Sequence, residues 1–585
     1  MTRQDDARQK RRDAADIAFN RPHFGPEPHP IPNPQTMEDT FLPKYIGNYS
    51  KGLKHDSNSG EVIENSYESL LNALISGNPA DFEQIMLDTS FSQMGERGNK
   101  KLTNPLSGLA FDLEGPDAHA IALLKQGATP DLTDPNNYEP FPPPPKLDSE
   151  EIAGEMVELY WMALLRDVDF IDYSNNDLVE EAGEELSNLS VFKGPKDNNG
   201  KVTPQTLFRG FAPGDTEGPY ISQFLLRGNQ DDVLERDEGD RRVNEGDGQV
   251  KYGTQSIDQR NVVAVEGKDF GTTFESWKAI QNGENRDIDP LYEGKKGDNR
   301  KLRFFFDEKR RFIRNARDIA TYVHYDALYQ AYQVACLYLL RKMDFEMADK
   351  MLNPGNPYLG LNKTDGFGTF GGPHILSLVC EVATRALKSV WYTKWFLFRH
   401  LRPEAYGGLV HSVKSLGKTY PLKPSIINSN VVEKIKKHNN QQNIKFERNP
   451  REGTYLLPLA FPEGSPTHPS YGAGHATVAG ACVTILKLWF NEDYDLQGIY
   501  VPNNSGTKLE RKSGSLKLGH ELNKLAANIA IGRNMAGVHW RSDYTQSLRL
   551  GEAIAIGILQ EQKILYKEML GTFEFTRFDG TKVSI

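Results

Sequence analysis

The chain has 585 residues, of which 38% are apolar and 10% aromatic, enough to bury a sizeable core and to build more than one lobe. Its formal net charge of −10 argues against nucleic acid as the main partner, so an anion site must draw on locally clustered arginine and lysine. No run reaches membrane-spanning length and no secretory signal is visible at the N-terminus, so a cytoplasmic location is the default expectation.

The first part of the chain is interpreted as an extended arm, residues 1–60, whose proline-rich stretch RPHFGPEPHPIPNPQT is typical of chain that wraps another surface. Residues 61–307 are interpreted as a region of helices and loops. Short helical patterns such as YESLLNALISG and PDAHAIALLKQG come first, and apolar residues at three- to four-residue spacing predict a strong amphipathic helix at 151–170. Residues 193–301 are mostly loop-like, with acidic and glycine-rich stretches.

The region 308–585 is strongly helical in its apolar spacing. It begins with DEKRRFIRNARDIATYVHYDALYQAYQVACLYLLRKM, one or two long helices, and continues with GGPHILSLVCEVATRALKSVWYTKWFLFRH, HATVAGACVTILKLWF, HELNKLAANIAIGR and SDYTQSLRLGEAIAIGILQEQKILYKEM. Short β pieces are predicted only near the terminal GTFEFTRFDGTKVSI. The sequence therefore predicts a mainly α protein whose second half is a helix bundle.

The cysteines, Cys336, Cys380 and Cys482, stand in apolar, helix-like contexts without metal-binding spacing. We expect buried free thiols.

Three short segments of the helical region carry most of the chemistry: KWFLFRHLRP at 394–403, PTHPSYGAGHA at 466–476 and RNMAGVHWRSD at 533–543. Together they supply one lysine, arginines and histidines, with glycines and helix starts. Arginine offers planar forked donors and lysine a point charge, so both neutralise a tetrahedral oxyanion such as phosphate or vanadate. A helix N-terminus adds backbone N–H groups and the positive end of the dipole.

The positions of the charged residues within these segments also favour an oxyanion site. Lys394 and Arg402 are eight residues apart, about 80° of rotation on an ideal helix, so both can face one pocket if the helix end is irregular. A solitary Lys or Arg is usually a surface charge, but the surrounding aromatic residues predict partial burial and hence a need for an anion. His475 follows a glycine-rich loop, where by itself it would be a helix cap.

Taken in order, the segments resemble the Lys…Arg-Pro, Gly-His and Arg-x5-His-x3-Asp signature shared by vanadium-dependent haloperoxidases and PAP2-type acid phosphatases. Several features resemble the algal and cyanobacterial bromoperoxidase branch of this group. They are the eight-residue spacing and the stretches PTHPSYGAGHA, LNKLAANIAIGRNMAGVHW, HPIPNPQT and GPYISQFL. The resemblance implies the mainly α, helix-bundle vanadium haloperoxidase fold, with two four-helix bundles and long loops.

The resemblance also implies the ligands of the cofactor. His539 would be the axial ligand bonded to vanadium, while Lys394, Arg402, Arg533 and the Gly474 N–H would hold the vanadate oxygens.

Other roles follow from the same resemblance. His475 would be the acid–base residue, with Lys394 and His468 also taking part in catalysis. Trp391 and His468 would shape the halide side of the pocket. Asp326 matches an acid that orients a cation or histidine from behind, and Asp543 completes the pattern and would orient its segment.

One position departs from the pattern. The family usually has serine immediately before the Gly-His pair, where this chain has Ala473. Losing one hydroxyl donor to an anion costs about 1–3 kcal/mol, which bears on vanadate affinity more than on reaction type.

The function implied is vanadate-dependent oxidation of bromide or iodide by hydrogen peroxide to hypohalous acid, which halogenates organic substrates. The alternatives are a PAP2-type acid phosphatase with His539 as nucleophile and, because of Ala473, a non-catalytic anion-binding scaffold. The resembled branch forms homo-oligomers, so a dimer or dodecamer is expected. It also has calcium sites, for which the loop LGLNKTDGFGTFGG is the candidate, without assignable ligands.

Overall fold

The computed structural model describes residues 2–20, 41–88, 102–108, 129–130, 138–139, 142–231, 243–284, 306–307, 309–343, 348–568 and 571–585. Helices make up most of its regular structure. Those before residue 300 are α1 (Arg3–Asn20), α2 (Glu64–Ser76), α3 (Pro79–Phe82), α4 (Glu150–Leu164), α5 (Asp177–Asn188) and α6 (Phe274–Gln281). Those after it are α7 (Ala316–Tyr325), α8 (Gln330–Met343), α9 (Ala348–Met351), α10 (Gly372–Tyr392), α11 (Pro403–Ser415), α12 (Pro424–Ile427), α13 (Asn430–Lys445), α14 (Gly474–Trp489), α15 (Leu518–Met535) and α16 (Arg541–Leu565).

The described strands form two-stranded antiparallel pairs. They are β1 (Thr129–Pro130) with β2 (Tyr138–Glu139), β3 (Gln230–Asp231) with β4 (Val243–Asn244), β5 (Gln249–Tyr252) with β6 (Gln255–Asp258), β7 (Asp495–Pro502) with β8 (Leu509–Lys517), and β9 (Glu574–Thr576) with β10 (Lys582–Ser584). The pair β9–β10 confirms the β pieces predicted near the C-terminus. The longer β7–β8 hairpin pairs Asp495 with Lys517 and was not predicted, because β8 is largely exposed and lacks apolar alternation.

The core of the second half is organised around α14, which packs against α10, α15 and α16, while α15 also packs against α7. Two glycines let the backbones of α14 and α16 approach each other. A Cβ at Gly551 would stand 1.9 Å from the Thr477 carbonyl oxygen, and one at Gly480 would stand 2.1 Å from that of Leu548. This packing, with the helix content, confirms the prediction of a mainly α, helix-bundle fold.

The individual helix predictions agree with the structure in most places. The amphipathic segment at 151–170 forms α4, which ends at Leu164, and the long pattern beginning at 307 divides into α7 and α8. YESLLNALISG falls in α2, whereas PDAHAIALLKQG lies outside the described residues. The described parts of 193–301 are mostly loop. The domain boundaries at residues 60 and 307 stay predictions.

The prediction of an extended N-terminal arm is wrong for Arg3–Asn20, which form the helix α1. Its sequence is rich in alanine and arginine, which favour helix, and Asp5 and Asp6 complement the dipole in its first turn. The helix packs against α16, and Lys10 donates to the Tyr566 carbonyl oxygen just beyond that helix. The proline-rich stretch lies outside the described residues.

The cysteine prediction is confirmed for two positions. All three thiols are free; Cys336 and Cys482 are buried, and Cys380 is only partly buried. Within the described part of the chain, no helix combines the length and apolar character needed to cross a membrane.

Candidate active site

The three predicted segments meet at helix ends. Lys394 lies in the π-helical turn Thr393–Phe398 that follows α10. Arg399 then turns the chain with a φ of 42°, and Arg402 is the N-cap residue of α11, with Pro403 at its first position. The irregular helix end that the eight-residue spacing required is therefore present, and it turns both cations toward one backbone segment.

Lys394 is fully buried. Its Nζ donates hydrogen bonds to the carbonyl oxygens of Pro469 at 2.8 Å and Ser470 at 2.9 Å. Burial, together with the nearby positive charge of Arg402, holds the pKa of Lys394 well below its usual range. Carbonyl dipoles orient the ammonium but leave its charge to be neutralised by an anion.

Arg402 is also buried and is held by carbonyls. Its Nη1 donates to the Val538 carbonyl oxygen at 2.7 Å, and its Nε and Nη2 donate to the His468 carbonyl oxygen at 3.0 and 2.8 Å. Burial lowers the pKa of Arg402 to about 10, against the attraction of Asp543. The guanidinium thus has a fixed orientation and remains a strong donor.

Arg533 lies near the end of α15. Its Nη1 donates to the Val323 carbonyl oxygen at 2.9 Å, and its buried Nε has no hydrogen-bond partner among the described residues. Burial lowers its pKa to about 10, while the carboxylates of Asp326 and Glu463 oppose that shift. A buried donor without a partner is costly, and an oxyanion would satisfy it.

His539 is fixed by the residue one turn further on. Its Nδ1 lies 2.6 Å from Asp543 Oδ2, which also accepts the Trp540 backbone N–H at 3.1 Å. Its Nε2 lies 2.9 Å from Arg402 Nη1, which can only donate. Nε2 must therefore carry a lone pair, with the proton on Nδ1. This is the tautomer that a histidine needs in order to bond a metal through Nε2.

The surroundings of His539 shift two pKa values in opposite directions. Burial, and then the positive charges of Arg402, Lys394 and Arg533, hold the pKa of His539 well below its usual range. Burial raises the pKa of Asp543 to about 7, although Lys394 opposes it. Both shifts favour a neutral imidazole.

The Gly-His pair opens α14. Gly474 is the first residue of the helix, and Ala473 is its N-cap without a side-chain cap, so backbone N–H groups and the positive end of the dipole lie at this point. His475 Nε2 lies 3.1 Å from Asp326 Oδ1, whose Oδ2 is buried without a partner among the described residues. Burial lowers the pKa of His475, and Asp326 opposes that shift.

The predicted halide side is formed by an aromatic pair. The rings of Trp391 and His468 are 4.7 Å apart, and the Trp391 Nε1 donates to the Asn104 carbonyl oxygen at 2.9 Å. His468 Nδ1 lies 2.9 Å from Arg402 Nη2 and 3.2 Å from the Pro469 carbonyl oxygen, so it accepts from the first or donates to the second according to the tautomer. Burial, and then the charges of Lys394 and Arg402, hold the pKa of His468 well below its usual range.

Sequence reasoning missed a buried ion pair behind Arg402. Lys51 Nζ lies 3.0 Å from Glu404 Oε1, with both side chains buried. The same Nζ donates to the Glu463 carbonyl oxygen at 2.6 Å, and Glu404 Oε2 accepts the Ser465 N–H at 2.6 Å. Glu404 directly follows the Arg-Pro pair, which is the one signal that could have identified it.

The site also uses groups without any sequence signature. Most acceptors for the three cations are main-chain carbonyls. The Ala473 N–H donates to Ser547 Oγ at 2.8 Å. Ser547 lies in α16, beyond the predicted segments.

The assembled site fits a tetrahedral oxyanion such as vanadate. Lys394, Arg402 and Arg533 are buried, their described hydrogen bonds go to carbonyls or imidazoles, and one guanidinium nitrogen lacks a partner. The lone pair of His539 and the start of α14 complete the set. Such an arrangement favours an anion that receives charge-assisted hydrogen bonds and one bond from nitrogen.

A metal site built from several protein ligands is not supported by the described residues. Among the described residues, no group of three or more His, Cys, Asp or Glu side chains is placed to hold a metal ion. The calcium site predicted for 359–372 therefore gains no support from them.

Comparisons with known proteins agree with this chemistry. Residues 436–567 match the family described as the VCPO second helical-bundle domain. A vanadium-dependent bromoperoxidase of Corallina pilulifera is 36% identical over 98% of this chain and 96% of its own length. One of Ascophyllum nodosum is 31% identical, over 92% of this chain and 86% of its own length.

A solved structure is similar over the whole chain. The second vanadate-dependent bromoperoxidase of Ascophyllum nodosum, described as homohexameric, matches with a TM-score of 0.79 and 26% identity, covering 100% of this chain and 90% of that one. With the sequence identities over nearly the full length, this shows that the chain belongs to the vanadium-dependent bromoperoxidase family.

Proposed function

We propose that the protein oxidises bromide, and iodide, with hydrogen peroxide at a vanadate cofactor, and releases hypohalous acid that halogenates electron-rich organic compounds. The net reaction is Br⁻ + H₂O₂ + H⁺ → HOBr + H₂O. The observation that carries the proposal is the set of three buried cations around His539: Arg402 lies 2.9 Å from its unprotonated Nε2, and, besides burial, the charges of Lys394 and Arg533 also lower its pKa. The curated relatives of the chain are named bromoperoxidases.

The cofactor-binding residues follow from the donor set. Lys394, Arg402, Arg533 and the Gly474 N–H would hold the vanadate oxygens, and His539 Nε2 would bond to vanadium. Bound vanadate would supply Lewis-acid activation of peroxide without a change in its own oxidation state. The 2.6 Å contact between His539 Nδ1 and Asp543 fixes the ring in the orientation this bond requires.

His475 is the residue proposed to move protons. Its pairing with Asp326 orients the ring, and its side chain is 20% exposed, so protons can reach it from solvent. Lys394 places a fixed positive charge at the site, where it stabilises negative charge that develops on oxygen.

Trp391 and His468 are proposed to border the halide. The imidazole of His468 keeps this wall polar, and bromide is easier to oxidise than chloride. We therefore propose bromide and iodide as the preferred halides.

The alternative functions are not favoured. Phosphate satisfies the same donors, so it should compete with vanadate, but the three curated relatives are named bromoperoxidases. A non-catalytic scaffold would not need the lysine, both arginines and both histidines that remain at the site.

We also propose that the chain forms a homo-oligomer. The support is the similar bromoperoxidase structure from Ascophyllum nodosum, which is homohexameric; dimer and dodecamer stay predictions. Size-exclusion chromatography with light scattering would measure the assembly.

The test of function is cofactor dependence. Protein dialysed against chelator and then against phosphate-free buffer should gain bromide oxidation on addition of orthovanadate, with phosphate as competitor. Hydrolysis of a phosphate monoester by the dialysed protein serves as the parallel assay. Activity that ignores vanadate and follows added haem or flavin would contradict the proposal, and phosphatase turnover without bromide oxidation would favour the alternative.

A further inference from the structure

Tyr325 is a phenol that is exposed to solvent beside the candidate site. Among the tyrosines that the structure describes, it is the only exposed one, at 57%; the other described tyrosines are buried or only partly exposed. It is the last residue of α7. The function proposed above gives it no role.

The neighbours of Tyr325 in the chain place it at the wall of the site. Asp326 Oδ1 lies 3.1 Å from His475 Nε2, and the Val323 carbonyl oxygen accepts the Arg533 Nη1 hydrogen bond at 2.9 Å. Consecutive Cα atoms are about 3.8 Å apart, so Tyr325 is one residue from the first of these contacts and two residues from the second. The end of α7 therefore belongs to the site wall, and Tyr325 lies on its solvent side.

The ring of Tyr325 is oriented by two other rings. It meets His324 with ring centroids 4.6 Å apart and Phe306 at 5.3 Å, both in edge-to-face contacts. These contacts fix the ring while more than half of the residue stays exposed. The side chains of His475 and His324 are themselves 20% and 19% exposed, so solvent reaches the site wall close to the end of α7.

The chemistry of a phenol matches the product of the proposed reaction. The phenolic oxygen donates electron density to the ring carbons ortho and para to it. In tyrosine the para carbon carries Cβ, so the reactive positions are the two ortho carbons, Cε1 and Cε2. An exposed tyrosine is therefore an electron-rich aromatic compound of the class that hypobromous acid halogenates, held permanently at the wall of the site.

We propose that Tyr325 is a site of self-bromination, where hypobromous acid leaving the site is captured by the ring of the enzyme itself. The inference rests on the proposed function, which supplies the hypobromous acid. A bond forms between bromine and Cε1 or Cε2 while the O–Br bond breaks, and the hydroxide so released leaves as water with the ring proton. One hypobromous acid is consumed for each bromine added, and no further oxidant is needed.

The experiment compares the wild type with Tyr325→Phe and Tyr494→Phe. Phenylalanine keeps the ring but removes the oxygen that activates it. Tyr494 is the matched control because it is partly exposed but distant: its carbonyl oxygen accepts the Leu518 N–H at 2.9 Å, at the start of α15 and about 22 Å along that helix from Arg533.

Each vanadate-loaded protein is turned over with bromide and hydrogen peroxide, with and without free methionine in solution. The methionine thioether consumes hypobromous acid that has escaped from the protein. Peptide mapping by mass spectrometry then measures the bromine at each tyrosine, and the initial rate of bromide oxidation is recorded on the same preparations. Vanadate-free protein treated with reagent hypobromous acid gives the intrinsic reactivity of each ring.

We expect roughly tenfold more bromine at Tyr325 than at Tyr494 during turnover with methionine present, because proximity to the site raises the local concentration of reagent. Reagent hypobromous acid should give a smaller difference between the two tyrosines. Tyr494→Phe should be brominated at Tyr325 like the wild type, and Tyr325→Phe should lose this modification while keeping the initial rate.

Several outcomes would overturn the inference. Equal bromination of the two tyrosines during turnover would mean that neither is favoured by its position. Loss of the Tyr325 modification when methionine is present would assign it to hypobromous acid free in solution. The same pattern with added reagent as with turnover would mean that exposure alone selects Tyr325.

The two levels of proposal fail differently. A wild-type protein without vanadate-dependent bromide oxidation would overturn the proposed function and this inference together. An active wild type whose Tyr325 stays unmodified would overturn the inference alone.

Discussion

Ala473→Ser adds back a hydroxyl at the start of α14. Ala473 is the N-cap residue, with φ −80° and ψ 122°, and makes no side-chain cap. This extended backbone is the one that serine adopts as an N-cap. A hydroxyl has one proton to donate and two lone pairs. It can therefore accept a helix N–H and donate to a bound oxyanion at the same time.

The two hydrogen bonds have separate magnitudes. The cap should raise the free energy of unfolding by about 0.5–2 kcal/mol with or without an anion. Donation to a charged oxyanion should contribute about 1.5–3 kcal/mol, which corresponds to roughly tenfold to hundredfold tighter vanadate binding. Because the Ala473 side chain is almost fully buried, little water can compete with the oxyanion for the hydroxyl of the serine variant.

The measurement is a calorimetric titration of dialysed protein with orthovanadate, beside thermal unfolding in the absence of vanadate. Ala473→Gly is the matched control, because glycine is also a better N-cap than alanine but carries no hydroxyl. Both variants should unfold at higher temperature than the wild type, and only the serine variant should bind vanadate more tightly.

Three outcomes would refute this reasoning. Unchanged or weaker vanadate binding in a stabilised serine variant would mean that the side chain at 473 points away from the oxyanion. Equal tightening in the glycine variant would assign the effect to the backbone. No gain in either property would mean that another group, such as Ser547 beside the Ala473 N–H, already fills the role.

Other substitutions test the remaining roles. His539→Ala should abolish bromide oxidation while leaving loose anion binding to the cations; near wild-type turnover would remove His539 from the ligand role. His468→Ala should change bromide kinetics and their pH profile with vanadate binding largely intact, and the wild type should turn over bromide far faster than chloride in steady-state assays of each halide. Burial raises the pKa of Asp543 to about 7, so the folded state retains a proton that the unfolded state releases near pH 4. The contribution of this proton to the free energy of unfolding is complete below about pH 4 and is lost as the pH rises through 7. Asp543→Asn should therefore flatten the fall in unfolding temperature of anion-free protein between pH 4 and 8, and an equally steep fall would contradict the assignment.

The sequence predicts the charged residues of the candidate site because their types and order are local properties of the chain. Lys394 and Arg402 could be paired only on the condition of an irregular helix end, which the π-helical turn and the left-handed Arg399 supply. The partners that orient them could not be predicted, since every residue has a carbonyl. The buried pair Lys51–Glu404 joins positions far apart in sequence, with no spacing that would signal contact.

The secondary structure could likewise be predicted only in part. Helices with an apolar face, such as α4, could be predicted from the spacing of their apolar residues. The helix α1 was not, because its charged sequence has no comparable apolar stripe and part of its support is contact with α16. The hairpin strand β8 was missed because its side chains are mostly exposed, so burial left no alternation in the sequence.

The carbonyl acceptors that hold the three cations have a consequence for protein engineering. Point substitution at Pro469, Ser470 or Val538 alters a side chain but leaves the peptide oxygen that Lys394 or Arg402 binds. The geometry of the proposed anion site is therefore specified by the path of the main chain, and mutational libraries can vary these neighbouring side chains while keeping the carbonyl acceptors. Insertions or deletions that redirect these loops would move the carbonyl acceptors themselves, and on the proposed function they should weaken vanadate binding more than substitutions of the neighbouring side chains.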